Sequence, residues 1–180
     1  MKRVHLEGGG FFLVDSQTPT GLHIFTSPTE TNTLSAASGF AQVMGAPGGR
    51  PRQRGMRQAG TGPGAILNVA KGCTPVMILA GAVPVTVYGE LHGNRNEYIH
   101  RAQDVPDQRA IVRQYRRYEH EIRRPQNAAQ RVPRSLQFAT NSLRGPAYLI
   151  ASRERLRRNL RLREATADLR LVGLHESTRA

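Results

Sequence analysis

The sequence is poor in the residues on which disulfide-bonded, cysteine-metal and membrane-spanning proteins depend. Its 180 residues include one cysteine, Cys73, and no tryptophan. A single cysteine forms neither an internal disulfide nor a cysteine metal cluster, so a reducing, cytoplasmic setting is expected. The longest apolar run, residues 75–85, is shorter than the roughly 20 residues that cross a membrane. Residues 1–14 also make a poor secretory signal. We therefore expect no membrane partner.

Lysine is nearly absent, although the chain is strongly basic. Lys2 and Lys71 are the only lysines among 26 basic residues, and the formal net charge is +13. Such a preference for arginine is typical of a GC-rich genome. The excess charge lies in residues 101–180, which hold 18 Arg against 8 acidic residues. Because aromatic residues for base stacking are not interleaved with these arginines, we assign them to solvated helix faces and expect no nucleic-acid partner.

Apolar periodicity predicts alternating strands and helices. The predicted elements, in chain order, are a strand at 22–26, a helix at 34–44, a helix at 65–71, a strand at 75–82, helices at 106–122 and 127–142, and a strand at 147–151. This order predicts an α/β fold, a three-layer doubly wound and mostly parallel sheet. Ligands of such sheets bind beyond the carboxyl ends of the strands. The places to look are therefore the residues just after Thr26, Ala82 and Ala151.

Several segments occur in an order that resembles one enzyme family. Glu30 precedes an alanine-rich helix that continues into Gly39-Phe40-Ala41 and stops at Gly45. A glycine-led helix and an apolar strand follow over residues 64–81, then a loop with His100 and Gln103, then Arg144-Gly145-Pro146 before the last strand. Over residues 22–155 this order resembles the N-terminal, pyrimidine-binding domain of thiamine-diphosphate (TPP) enzymes of the acetolactate-synthase type.

The resemblance implies a role for four residues. Glu30 would be the catalytic carboxylate that contacts the ring nitrogen of the cofactor's aminopyrimidine and exchanges a proton with it. Gly39 would allow close approach to the pyrimidine ring, and His100 and Gln103 would line the substrate side of the cleft. Simpler interpretations stay open: Glu30 can favour the helix macrodipole, Gly39 can be a helix-packing glycine, and His100 can be an ordinary loop residue.

Two segments and one missing motif depart from the family pattern. Residues 1–21 do not supply the helix and Gly-Thr turn with which the family begins. Residues 46–63 form an anomalous basic segment rich in Gly, Pro and Arg, and within it residues 48–58 fall where the family has an apolar central strand. We expect no strand there, because burying the four arginines of residues 48–58 is costly. Residues 156–180 form an Arg/Leu-rich tail. A compensated pair of frameshifts would leave a basic segment such as residues 48–58, and sequencing of the DNA would test this hypothesis.

The family's Gly-Asp-Gly…Asn motif for magnesium and diphosphate has no counterpart in the sequence. The resemblance therefore implies thiamine diphosphate as cofactor, with Mg²⁺ held by a domain absent from this chain. It implies a 2-oxo acid carboligase or decarboxylase, inactive as an isolated chain, that acts on a 2-oxo acid as a homodimer or with a complementary diphosphate-binding subunit. The alternatives are a non-catalytic remnant or pseudoenzyme that pairs with a full-length relative, and a basic RNA-binding protein.

Overall fold

The computed structural model describes residues 10–15, 22–27, 29–44, 50–53, 62–95 and 104–156. Its strands are β1 (Gly10–Asp15), β2 (Leu22–Ser27), β3 (Arg50–Gln53), β4 (Met77–Ala82), β5 (Tyr118–Glu121) and β6 (Ala147–Ser152). Its helices are α1 (Glu30–Met44), α2 (Gly62–Lys71), α3 (Ala128–Thr140) and the short α4 (Arg153–Leu156). Two 3₁₀ turns lie at Ala110–Val112 and Pro125–Asn127.

The strands in the described residues form one mixed sheet of order β2-β1-β3-β4-β6-β5. The pairings β3–β4, β4–β6 and β5–β6 are parallel, whereas β1 is antiparallel to both of its neighbours. Five strands therefore run in one direction and β1 runs against them. The mostly parallel sheet that the sequence predicts is confirmed.

Two hydrophobic cores lie on opposite faces of this sheet. On one face, Leu34 of α1 and Ile66 of α2 pack with Ile78 of β4 and Tyr148 of β6. On the other face, α3 covers the neighbouring positions of the same two strands; this second core contains Met77, Leu149 and Ala151, against which Val132 and Leu136 pack. Successive side chains of a strand point to opposite faces, so a strand that is apolar at every position serves both cores. The three-layer arrangement is confirmed.

The helix predicted over residues 106–122 is wrong. The structure has a 3₁₀ turn at Ala110–Val112 and then the strand β5. The apolar residues that suggest one helical stripe belong to different cores. Val112 is buried with α1 and α2, whereas Ile122 is buried in the core under α3. A helical spacing in the sequence thus arose from residues that the chain divides between the two faces of the sheet.

The expectation that residues 48–58 form no strand is also wrong. Residues 50–53 form β3, which pairs with β1 on one side and with β4 on the other. Only two of the four arginines, Arg50 and Arg52, lie in the strand. Pro51 pairs with Phe12 of β1, while the pairing with β4 involves Arg52 and Gln53. Proline donates no backbone hydrogen bond and is tolerated near the start of a strand, and Pro51 precedes the residues that pair with β4.

The other predicted elements are confirmed to within a few residues. The strands at 22–26, 75–82 and 147–151 correspond to β2, β4 and β6. The helices at 34–44, 65–71 and 127–142 correspond to α1, α2 and α3, and Pro133 lies inside α3. Within the part of the chain that the structure describes, no helix has the length and apolar character of a membrane span.

Candidate functional site

Three segments leave the sheet together at its carboxyl edge. One row of paired residues crosses all six strands: Thr26, Phe11, Arg52, Leu79, Leu149 and His120. Glu30, Val83 and Arg153 each lie four residues beyond this row, in the connections that follow β2, β4 and β6. The register therefore brings the start of α1, the loop after β4 and the start of α4 to the edge where such sheets bind ligands.

Glu30 is the first residue of α1, and Thr29 caps that helix. The amide of Asn32 donates to the Thr29 hydroxyl oxygen at 3.2 Å, and the amide of Thr33 donates to the Thr29 carbonyl at 3.1 Å. Glu30 is half-buried. A carboxylate in the first turn is favoured by the positive end of the helix dipole. This position agrees with the macrodipole interpretation. It also lies at the carboxyl edge of the sheet.

Gly39 lies farther along the same helix, away from Glu30. Gly39 follows Glu30 by nine positions, which corresponds to about 13.5 Å along the axis at about 1.5 Å per residue. A β-carbon added at Gly39 would meet no atom within 4 Å. The structure thus does not bring Gly39 to the helix start. His100 and Gln103, the other two predicted site residues, lie outside the described residues.

The loop between β4 and the next described turn, residues 83–95, is held by Glu154. That side chain is 4% exposed. Its carboxylate accepts hydrogen bonds from the Val85 amide at 3.0 Å, the Thr86 amide at 3.3 Å and the Thr86 hydroxyl at 2.7 Å, and a longer one from the Ser152 hydroxyl at 3.4 Å. Burial acts to raise the pKa of Glu154, but these hydrogen bonds outweigh it and leave the pKa below its ordinary value.

Two arginines complete the attachment of this loop. Arg153 donates from Nε to the Gly93 carbonyl at 2.9 Å and from Nη2 to the Asn94 carbonyl at 2.5 Å. Arg95 donates from Nε to the Pro84 carbonyl at 2.7 Å and forms an ion pair with Asp104 at 2.8 Å. The backbone of the loop is therefore bonded at both of its ends. We did not single out Arg95, Arg153 or Glu154 from the sequence. Arg153 and Glu154 nevertheless follow closely after Ala151, one of the three positions after which we expected ligand-binding residues.

A further polar contact lies behind the carboxyl end of β4. Gln108 donates from Nε2 to the Tyr148 hydroxyl at 3.2 Å and lies 3.4 Å from the Gly81 carbonyl. Tyr148 is fully buried, and that burial raises the pKa of its hydroxyl far above the ordinary value. The hydroxyl therefore stays protonated and contributes a structural contact between β6 and the chain that follows residue 104.

The start of α1 and the loop after β4 lie on the carboxyl edge with β1 and β3 between the strands that lead to them. In the sheet order, three strand spacings separate β2, which leads to Glu30, from β4, which leads to the loop. At about 4.8 Å per spacing this is about 14 Å. The half-buried carboxylate of Glu30 suits a hydrogen bond to a protonated or protonatable ring nitrogen. By contrast, no group of three His, Cys, Asp or Glu side chains in the described ranges is arranged to hold a metal ion. The described residues thus offer one carboxylate, that of Glu30, to a ring nitrogen and no group of ligands to a metal ion.

Comparison by sequence found no matching family model, and no curated protein matches the chain. Comparison of structures gave clear similarities. A protein isolated from Mycobacterium smegmatis and described as a thiamin diphosphate-dependent enzyme superposes with a TM-score of 0.56 at 20% identity, over 68% of this chain and 22% of that one. The thiamine diphosphate-dependent 4-hydroxybenzoylformate decarboxylase of Rhodococcus jostii RHA1 superposes with a TM-score of 0.52 at 16% identity, over 68% of this chain and 21% of that one.

The matched region is thus about a fifth of the length of each of these two proteins. At such identities the similarity establishes the fold. The resemblance that the order of segments suggested is confirmed at that level: this chain has the α/β fold of a domain found in thiamine diphosphate-dependent enzymes.

Proposed function

We propose that this chain is the pyrimidine-binding domain of a thiamine-diphosphate enzyme that joins or cleaves 2-oxo acids, with acetolactate synthesis as the nearest activity. The observation that carries the proposal is the place of Glu30. It is a half-buried carboxylate on the first residue of α1, at the carboxyl edge of a sheet whose fold matches such enzymes. The cofactor, when bound, supplies the carbanion chemistry. Glu30 would orient the aminopyrimidine and exchange a proton at its ring nitrogen.

A second domain or subunit belongs to this proposal. The described residues bring no metal-binding group together, so Mg²⁺ and the diphosphate need ligands from elsewhere. The loop after β4 also exposes four apolar side chains, Val85, Val87, Tyr88 and Leu91, and Tyr88 is 85% exposed. Apolar surface of this kind is typical of a surface that a partner covers. It supports a homodimer or a complementary diphosphate-binding subunit.

The test is binding of thiamine diphosphate to the full chain, followed by ligand-observed NMR. We expect weak binding that Glu30→Gln abolishes or reduces at least about tenfold, because hydrogen bonds to a charged group contribute about 1.5–3 kcal/mol. Binding by the chain alone should depend little on Mg²⁺. Glu121→Gln is the matched control, since Glu121 lies on β5 at the opposite side of the sheet and pairs with Arg123 at 3.2 Å.

The activity itself is tested by supplying a diphosphate-binding domain of a related enzyme. Carboligation of a 2-oxo acid that disappears in Glu30→Gln would support the proposal. If cofactor and magnesium give no thermal stabilisation even with that domain present, the chain is a non-catalytic relative that retains the fold. Equal binding by wild type and Glu30→Gln would mean that Glu30 only favours the start of the helix.

A further inference from the structure

Two residues after β6, Arg153 and Glu154, form several side-chain hydrogen bonds with the loop after β4. Glu154 lies 69 residues beyond Val85 in sequence, yet its carboxylate accepts that amide at 3.0 Å. Arg153 reaches back 60 residues to the Gly93 carbonyl at 2.9 Å. These two adjacent residues hold opposite ends of the same loop, one through its amides and the other through its carbonyls.

The two side chains provide what a loop backbone lacks. In a loop, amides and carbonyls have no ladder partners, so each needs another group or water. Glu154 supplies acceptors for the consecutive amides of Val85 and Thr86, and Arg153 supplies donors for the consecutive carbonyls of Gly93 and Asn94. The two ends of the loop are also bonded to each other, because the Arg95 amide donates to the Thr86 carbonyl at 2.9 Å.

Burial of a carboxylate such as that of Glu154 carries a desolvation cost. Glu154 is 4% exposed, and removing a carboxylate from water is repaid only by a full set of hydrogen bonds. An apolar residue at the same place would fill the space but would leave the Val85 and Thr86 amides without their acceptor. The contact therefore specifies the position of the loop rather than adding to the core.

We propose that Arg153 and Glu154 are positioning residues that hold the 83–95 loop at the carboxyl edge, so that it forms one fixed wall of the ligand site whose other flank is Glu30. The nature of the ligand rests on the proposed function. The hydrogen bonds of Arg153 and Glu154 with the loop, which we call the clamp, do not depend on it. A loop that is already ordered in the free protein loses less conformational entropy when a ligand binds, which favours binding. The role is separate from that of Glu30, which would touch the ligand directly.

The first measurement is amide hydrogen exchange on the full chain, for wild type and for Glu154→Gln. An amide side chain keeps one acceptor and turns a donor toward the Thr86 amide, so we expect exchange at Val85, Thr86 and Arg95 to speed up by about tenfold or more. Amides of β6 should keep their protection. Glu90→Gln is the control, because Glu90 lies on the same loop, is exposed, and accepts the Val87 amide at 3.0 Å.

A milder variant covers the case in which Glu154→Gln fails to fold. Thr86→Val removes the 2.7 Å hydroxyl contact and keeps both amide contacts of Glu154. It should loosen the same amides by a smaller factor. Unchanged exchange in both variants would overturn the clamp.

The second measurement separates the clamp from the cofactor proposal. Using thiamine diphosphate as probe, we expect Glu154→Gln to weaken binding several-fold together with the loss of loop protection, and Glu30→Gln to weaken binding without any change in loop exchange. A loosened loop with unchanged affinity would overturn the positioning role. If the wild type binds no thiamine diphosphate, the cofactor proposal fails, and a loop that still loosens in Glu154→Gln would leave the clamp established without that ligand.

Discussion

At the scale of single residues, two glutamates at the same edge of the sheet have different surroundings. Glu154 is almost fully buried, and its carboxylate is occupied by the amides and the hydroxyl of the neighbouring loop. Glu30 is half-buried on the first turn of α1, where the helix end stabilises a negative charge. The first carboxylate therefore has a structural role in the free protein. The second is the carboxylate for which we propose contact with the cofactor.

Gly39 allows a direct choice between its two interpretations. The site of an added β-carbon is empty out to 4 Å, so Gly39→Ala should raise the free energy of unfolding by about 0.5–1 kcal/mol through its greater helix preference. Urea unfolding of both proteins measures this. If Gly39 lies against the cofactor, the same variant will lower the affinity for thiamine diphosphate. A more stable variant with unchanged affinity would mean that Gly39 is not part of the site.

At the scale of elements, β6 is a strand that contributes to both hydrophobic cores. All six of its residues are buried, and it pairs with β4 on one side and β5 on the other. Its alternate side chains enter the two cores, Tyr148 under α1 and α2 and Leu149 under α3. The strand then leads directly into Arg153 and Glu154. Packing of β6 thus determines where the clamp on the 83–95 loop stands.

Truncation in this strand should be costly. Leu149→Ala should lower the free energy of unfolding by about 2–5 kcal/mol, because it removes buried methyl groups and leaves a cavity. Leu91→Ala, the same change at a residue that is 54% exposed, should shift it by less than about 0.5 kcal/mol. Chemical unfolding monitored by circular dichroism compares the two. Similar losses in both variants would contradict the importance of β6 for the packing of the core.

At the scale of the whole molecule, charge and pH act together. The chain carries a formal net charge of +13, and acid adds to it by neutralising carboxylates. The pKa of Glu154 is lower in the folded protein than its ordinary value of 4.5. Its contribution to stability is therefore present above about pH 4.5 and is lost as the pH falls through the folded-state pKa.

Unfolding in urea at a series of pH values between about 3 and 7 tests this linkage. The wild type should be more stable than Glu154→Gln near neutral pH, and the difference should shrink as the pH falls below about 4.5. Glu90→Gln, on the exposed part of the same loop, should follow the wild type throughout. A difference between wild type and Glu154→Gln that stays constant down to pH 3 would contradict a carboxylate that is charged in the folded state.

Local patterns in the sequence were sufficient for the elements that bury an uninterrupted apolar surface. The continuous apolar runs before Val83 and before Arg153 predicted β4 and β6, and the periodic residues after Glu30 predicted α1. Within each of these elements the apolar residues follow one regular pattern, continuous in the strands and helical in α1. Such a pattern can be recognised without knowing which elements lie beside it. The order of these elements also predicted the mostly parallel sheet and placed Glu30 after a strand and before a helix.

Only the tertiary structure decided three matters. Residues 50–53 became β3 because β1 and β4 offered backbone partners on both sides, although the side chains argued against a strand. Residues 118–121 became β5 because Val112 and Ile122 serve cores on opposite faces of the sheet. Glu154 became the support of a loop about 69 residues earlier in the chain. In each case the deciding contact joins residues far apart in sequence, and local spacing carries no information about such contacts.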